Sequence, residues 1–226
     1  MLGSLIGLLL YFLRRVRFGP LRWLGNAYIW FFRGTPLLVQ ILLLYAAIPY
    51  LGLVRPLEDL NFFPALGYDR VPMDSFIAAL LALSLNEGAY MAEIVRAGID
   101  AVDEGQMEAA KSLGMPYRMA MRRIVLPQAL RVIVPPLGNE FNNMLKNSSL
   151  ASAIALLELL GTASEIGAAS FTTFELYIVA SYWYLVLTSI WTIIQSVIER
   201  RLNVSAVEPN ASVGWWQRLS GVRVSR

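Results

Sequence analysis

Asn86 and Glu87 stand inside one apolar stretch, and Glu140, Asn142, Asn143 and Lys146 stand inside another. Carboxylate, amide and ammonium groups set close together suit a ligand that itself carries an ammonium and a carboxylate. They suit hydrogen bonding between helices equally well, and for the second set such bonding within a dimer is as good an account as ligand contact. Covalent chemistry has fewer candidates. The chain contains no His and no Cys, which removes a His general base, His/Cys metal ligation and disulfides. No catalytic residue, metal site or cofactor is expected. Nor is a nucleic-acid face, which needs concentrated basic residues with accessible aromatics. A phosphate-binding loop requires Gly-Lys-Ser/Thr, and Lys111 and Lys146 follow Ala110 and Leu145. Any ATP-driven work must come from a separate subunit.

The cost of placing charges in an apolar span sharpens the choice. A carboxylate at a helix centre costs ~2.5–3.5 kcal/mol on insertion scales, while each Leu or Ile returns ~0.3–0.6. Glu87 and Glu93 together would cancel most of the gain of their span. Glu93 has a local answer in Arg96, three residues on. Asn86 and Glu87 have none nearby and are read as lining a polar path, with Asn142 from the second band.

Those residues must be positioned by membrane helices. Of 226 residues, 57% are hydrophobic and 15% charged, and the apolar ones gather in long runs, as in a polytopic all-α membrane protein. Five spans are expected, near residues 2–13, 36–54, 76–95, 129–155 and 176–198. Thr35 is expected to cap the second, with Pro36 in its first turn. The fourth contains Pro135, Pro136, Gly138, Glu140, several Asn and Lys146 and is expected to be bent or broken. The first is short, roughly 20 Å against a ~30 Å apolar core; either it stops inside the bundle or residue 1 is not its start, and the second reading is preferred. It is not a secretory signal, because Arg14, Arg15 and Arg17 follow the apolar stretch instead of preceding it.

Arginine and lysine set the orientation. Arg14, Arg15, Arg17, Arg22 and Arg33 fall in the loop after the first span, and Arg96, Lys111, Arg118, Arg122, Arg123 and Arg131 around the connection after the third. Arg200, Arg201, Arg218, Arg223 and Arg226 follow the last, and only Arg55, Arg70 and Lys146 lie on the other side. The positive-inside rule then puts the N-terminus outside and the C-terminus in the cytoplasm. The expected organisation is a membrane domain over 1–202, with a cytoplasmic loop at about 100–127, and a polar tail over 203–226 whose Trp215 and Trp216 suit the interface. The outer loop over 55–74 reads as an ordered cap.

The loop has its own design. Asp103 can cap a helix starting at Glu104, with Gln106 in the capping-box position. Ala109 and Ala110 are small enough for another surface to approach the helix closely. Gly114 supplies a left-handed stop, and Pro116 opens a second helix, carrying Arg118, Arg122 and Arg123, that ends before Pro127. From spacing alone this is a docking plug or an ordinary amphipathic connector.

A resemblance separates the two. Glu108-Ala109-Ala110, Gly114 four residues on, and Ile124-x-Leu126-Pro127 match the Glu-Ala-Ala signature of ABC importer permeases. Arg33-Gly34-Thr35-Pro36-Leu37-Leu38-Val39-Gln40, Ala89-Tyr90-Met91-Ala92-Glu93, Gly105-Gln106 and Leu145-Lys146-Asn147-Ser148-Ser149-Leu150 resemble the polar amino acid branch, the histidine/glutamine/glutamate-type permeases. The match runs over about 28–201; the departure is the short first helix. The resemblance implies a type I importer permease of the inner membrane that carries polar amino acids and has no ATPase site of its own. It also implies cytoplasmic ATPase subunits, a second permease subunit, identical or related, and an extracytoplasmic amino-acid-binding protein. Glu108, Ala109, Ala110, Gly114, Leu126 and Pro127 would then form the contact that couples nucleotide-driven closure to the membrane helices. An ion-coupled secondary transporter usually shows repeated halves with broken helices, and a membrane-embedded hydrolase wants paired Asp or Ser–His; neither pattern is present.

Overall fold

Apolar runs become helices throughout the residues that the computed structural model describes, 2–16, 18–51 and 73–202. The expected outer cap, the tail with its tryptophans, and Arg17 lie outside them. Helix α1 (Leu2–Arg15) buries Gly3, Gly7, Leu10 and Tyr11, a stripe with helical spacing. That stripe lies along α4 (Met73–Asp100), its main partner. Gly7 is what permits the close approach, since a Cβ there would fall on the Cβ of Met91.

Between these two helices the chain differs from expectation. The segment read as a basic loop is helix α2 (Gly19–Gly34), opened by Pro20 in its first turn. Its arginines are spaced among aromatic and aliphatic residues, so a continuous helix keeps an apolar side; Gly25 and Ile29 are buried on it. Helix α3 (Leu37–Leu51) then turns away at 109° to α2. Thr35 does not cap α3. Its Oγ1 donates to Phe31 O at 2.8 Å and closes α2 instead.

α4 leads through Asp103 into α5 (Glu104–Ser112) and then α6 (Tyr117–Ala120). The second loop helix does not end before Pro127. A π turn over Met121–Val125 carries it straight into α7 (Leu126–Asn147). The wider turn explains how: Leu126 N–H bonds back to Met121 O, five residues earlier. This shifts the ladder at the point where Pro127 has no N–H to give.

The fourth span is bent within its expected bounds, but not at Pro135 and Pro136. The helix runs through both, and α9 (Thr173–Arg201) donates side-chain bonds onto that stretch: Gln195 Nε2 to Pro135 O at 3.2 Å, and Trp191 Nε1 to Gly138 O at 2.8 Å. Neighbouring side chains of this kind make proline tolerable in a membrane helix. The interruption comes later. A 3₁₀ segment (Ser148–Ile154) ends at Ala155 with φ 57°, and α8 (Leu159–Ser170) follows at 46° to the preceding rod.

Among the described residues, α4 from Ser75 and α9 are each long and apolar enough to cross a membrane, and the two bent pairs raise the number to four if each is one span. Two buried clusters tie the bundle together through α4. Ile41, Ala78, Ala79, Ala82, Ala151 and Ile154 form one, and Leu10, Ile29, Ala89 and Ala92 the other.

Candidate functional site

The loop after α4 folds as an elbow; its N-cap and glycine signals hold, while Gln106 turns to α7 instead of closing a capping box. Asp103 stands at the N-cap of α5 and its carboxylate accepts from Gly105 N at 2.7 Å. Gln106 accepts from Gln128 Nε2 at 3.5 Å, a link to α7. At the other end Gly114 has φ 75°, and two bonds close the turn: Met115 N to Ala110 O at 3.0 Å and Gly114 N to Lys111 O at 2.9 Å. This pair is the Schellman arrangement, which needs a left-handed residue at that point. Pro116 then stands at the N-cap of α6.

The elbow presents one face and hides the other. Glu104, Glu108, Ala109, Gly114 and Leu126 are exposed, as are the bulkier Leu113 and Tyr117. Ala110 is buried at 1% exposure. Its smallness therefore serves the packing of α5 against α6 and the π turn, and no outside surface can reach it as expected.

The polar groups inside the bundle divide three ways. Asn86 is buried and points toward the α2–α3 corner, donating to Phe32 O and to Gln40 Oε1 at 3.0 Å each. Gln40 Nε2 in turn donates to Thr35 O, Thr35 Oγ1 and Phe32 O. Buried amides need such partners, so Asn86 pins a corner and does not join Glu87 in a path. The two adjacent residues lie about 100° apart around α4. Glu87 instead lines a cleft of about 410 Å³ between α1, α4, α7 and α9, with Ser4, Met91, Phe141, Met144 and Gln195 among its walls.

Glu140 lies on a second cleft with Arg33, Tyr90, Glu93 and Arg96. Asn142, Asn143 and Lys146 line neither. The Asn142 Oδ1 atom is buried without a hydrogen-bond partner among the described residues, and Lys146 is exposed. The expected grouping of Asn86, Glu87 and Asn142 is thus not assembled.

Glu93 pairs with Arg96 at 2.8 Å as its spacing suggests, but Arg14 of α1 also pairs with it, and Arg33 of α2 lies 4.0 Å away. Arg96 continues to Asp100 at 3.0 Å, and Asp100 to Arg15 at 3.3 Å. This chain of ions ties α1 and α2 to the end of α4 just before the elbow. Sequence reasoning missed Arg14 and Gln40 as partners. The only available signal was that each is polar beside apolar runs, since their partners are 79 and 46 residues away.

Comparison with known proteins places this arrangement. Residues 3–204 match the family described as binding-protein-dependent transport system inner membrane component. The arginine transport system permease protein ArgU of Corynebacterium glutamicum is 43% identical over 88% of this chain, which spans 62% of that protein's length. The probable glutamine ABC transporter permease protein GlnM of Bacillus subtilis is 38% identical over 90% of this chain and 86% of its own. A crystal structure of an amino acid ABC transporter with histidines superposes with a TM-score of 0.75 at 40% identity, covering 88% of this chain and 85% of that one. The inward-facing MetNI methionine ABC transporter shares the fold at 18% identity and a TM-score of 0.63.

Proposed function

Since this chain belongs to the family of binding-protein-dependent transport system inner membrane components and is a permease component of an ABC amino acid importer, we propose that it carries polar amino acids and is driven through the elbow over 103–127. It is a multi-pass inner-membrane subunit and not itself an ATPase. Such a system works with an ATPase and a binding protein. Here the ATPase subunits dock on the elbow from the cytoplasm, a second permease subunit completes the path, and the binding protein delivers substrate from outside. Five spans, with the N-terminus outside and the C-terminus and the 203–226 tail in the cytoplasm, agree with the distribution of arginine and lysine.

The observation that carries this reading is the exposed face of a rigid, capped elbow fused on both sides to membrane helices, α4 before and α7 after. Glu108, Ala109, Gly114 and Leu126 present the contact. Ala110 and Pro127 act indirectly, one by letting α5 pack on the π turn and the other by setting where that turn lies. Glu87 and Glu140, in their separate clefts, are the carboxylates available to a substrate ammonium; Asn86, Asn142, Asn143 and Lys146 have supporting roles between helices.

Gly114→Asp is the direct test. A non-glycine residue held at left-handed φ costs ~1–3 kcal/mol, enough to displace the turn. The protein should still reach the membrane and keep its second permease subunit. ATPase co-purification and uptake into proteoliposomes should fall by roughly tenfold or more, the factor that strain of this size corresponds to. Full uptake with full ATPase binding in this variant would refute the coupling role.

A further inference from the structure

At the elbow end of the bundle a cleft of about 240 Å³ opens between the last turns of α1 and α4 and the first turns of α2. Arg14, Arg15, Arg22 and Arg96 line it, with Asn26 and Asp100. The facing carboxylates are Asp100, paired with Arg15 and Arg96, and Glu93, paired with Arg14 and Arg96. The lining sets four arginines against the one carboxylate of Asp100, and Glu93 behind it is shared by Arg14, Arg33 and Arg96, so the cleft keeps an excess of positive charge. Among the described residues, neither Arg22 nor Asn26 has a side-chain hydrogen bond or ion pair, so their donors are free. Arg15 is steadied over the Tyr11 ring at 5.3 Å.

The surroundings say which side of the membrane boundary this is. Phe12, Phe18 and Trp23, on α1 and at the start of α2, are 63%, 60% and 67% exposed. Exposed rings next to guanidinium groups at the ends of apolar helices are what a protein presents at headgroup depth. A guanidinium fork takes phosphate oxygens two at a time, and basic clefts between membrane helices hold anionic headgroups.

We propose that this cleft binds the headgroup phosphate of an anionic phospholipid, with Arg22 and Asn26 as its free donors and the acyl chains lying along the exposed rings of α1 and α2. The inference rests only on the chain being a membrane protein, and stands or falls separately from the substrate and from ATPase coupling. Free phosphate shares the chemistry but has no use for the apolar rim.

The test uses the full chain, delipidated in detergent and then offered equal amounts of phosphatidylglycerol and phosphatidylcholine, with retained lipid read by native mass spectrometry. Wild type should retain phosphatidylglycerol preferentially. Arg22→Gln should retain about fivefold less, the factor one arginine contributes at an anionic surface, and Asn26→Asp should lose it similarly by placing a carboxylate in the cleft. Arg201→Gln, the same charge change on an exposed residue at the end of α9, should behave as wild type. Equal retention of the two lipids, or equal loss in Arg22→Gln and Arg201→Gln, would overturn the site. Inorganic phosphate alone, at millimolar concentration, should not raise the melting temperature; a rise matching that from phosphatidylglycerol would make this a free-anion site and overturn the lipid assignment.

Discussion

Glu93 and Glu87 sit six residues apart on one helix and have opposite fates. Glu93 is held between α1 and α4 by Arg14 and Arg96 with Arg33 close by, and its side chain is 18% exposed. Removing its charge strands guanidinium groups that were arranged around it, which costs more than an exposed pair would. Glu93→Gln should therefore lower stability by about 1.5–3 kcal/mol, the range for hydrogen bonds to charged groups, seen as a lower melting temperature in detergent. Arg96→Gln should cost less, because Arg14 remains on Glu93. Glu87 has no ion pair among the described residues and faces a cleft. Glu87→Gln should leave membrane accumulation intact and change the uptake rate or the order of preference across a panel of labelled amino acids. Unchanged uptake for every one of them would remove Glu87 from the path.

At the scale of elements, α1 and α4 behave as one unit because Gly7 lets them touch. Gly7→Leu would drive a branched side chain into Met91, and overpacking of this kind typically costs ~1–3 kcal/mol. Its accumulation in the membrane should fall, whereas Leu8→Ala, on the exposed side of α1, should be tolerated; equal accumulation of the two would show that the close approach is not needed. The elements themselves were unequally legible in the sequence. The elbow could be read because each of its signals acts within a turn: Asp103 caps its own helix, Gly114 takes a conformation few other residues tolerate, and Pro116 opens the next helix. α2 was hidden because its arginines look like loop charges until a neighbour covers one side. The helix through Pro135 and Pro136 was hidden because the donors that accompany the prolines, Trp191 and Gln195, belong to α9, more than fifty residues away. The polar path was misjudged for the same reason: Asn86 finds Gln40 only once the α2–α3 corner is folded.

The molecule as a whole is one part of a larger machine. In α4, 61% of the most apolar window is buried within the chain, but in α9 only 6% is. α9 keeps one face on α7 and α8 and offers the rest to lipid or to another subunit. Isolation in a mild detergent should recover a second permease subunit and the ATPase together, and recovery of the single chain alone would contradict the proposed assembly. From Tyr117 to Asn147 no loop interrupts the rod, which at ~1.5 Å per residue reaches roughly 45 Å, more than the ~30 Å apolar thickness of a bilayer. On the coupling proposed above, a tug at the elbow would be carried along this rod to the other leaflet. The α-helical rod ends at Asn147 and the chain turns by Ala155, so on that proposal whatever opens or shuts there would do so on the opposite shore from the hand that pulls.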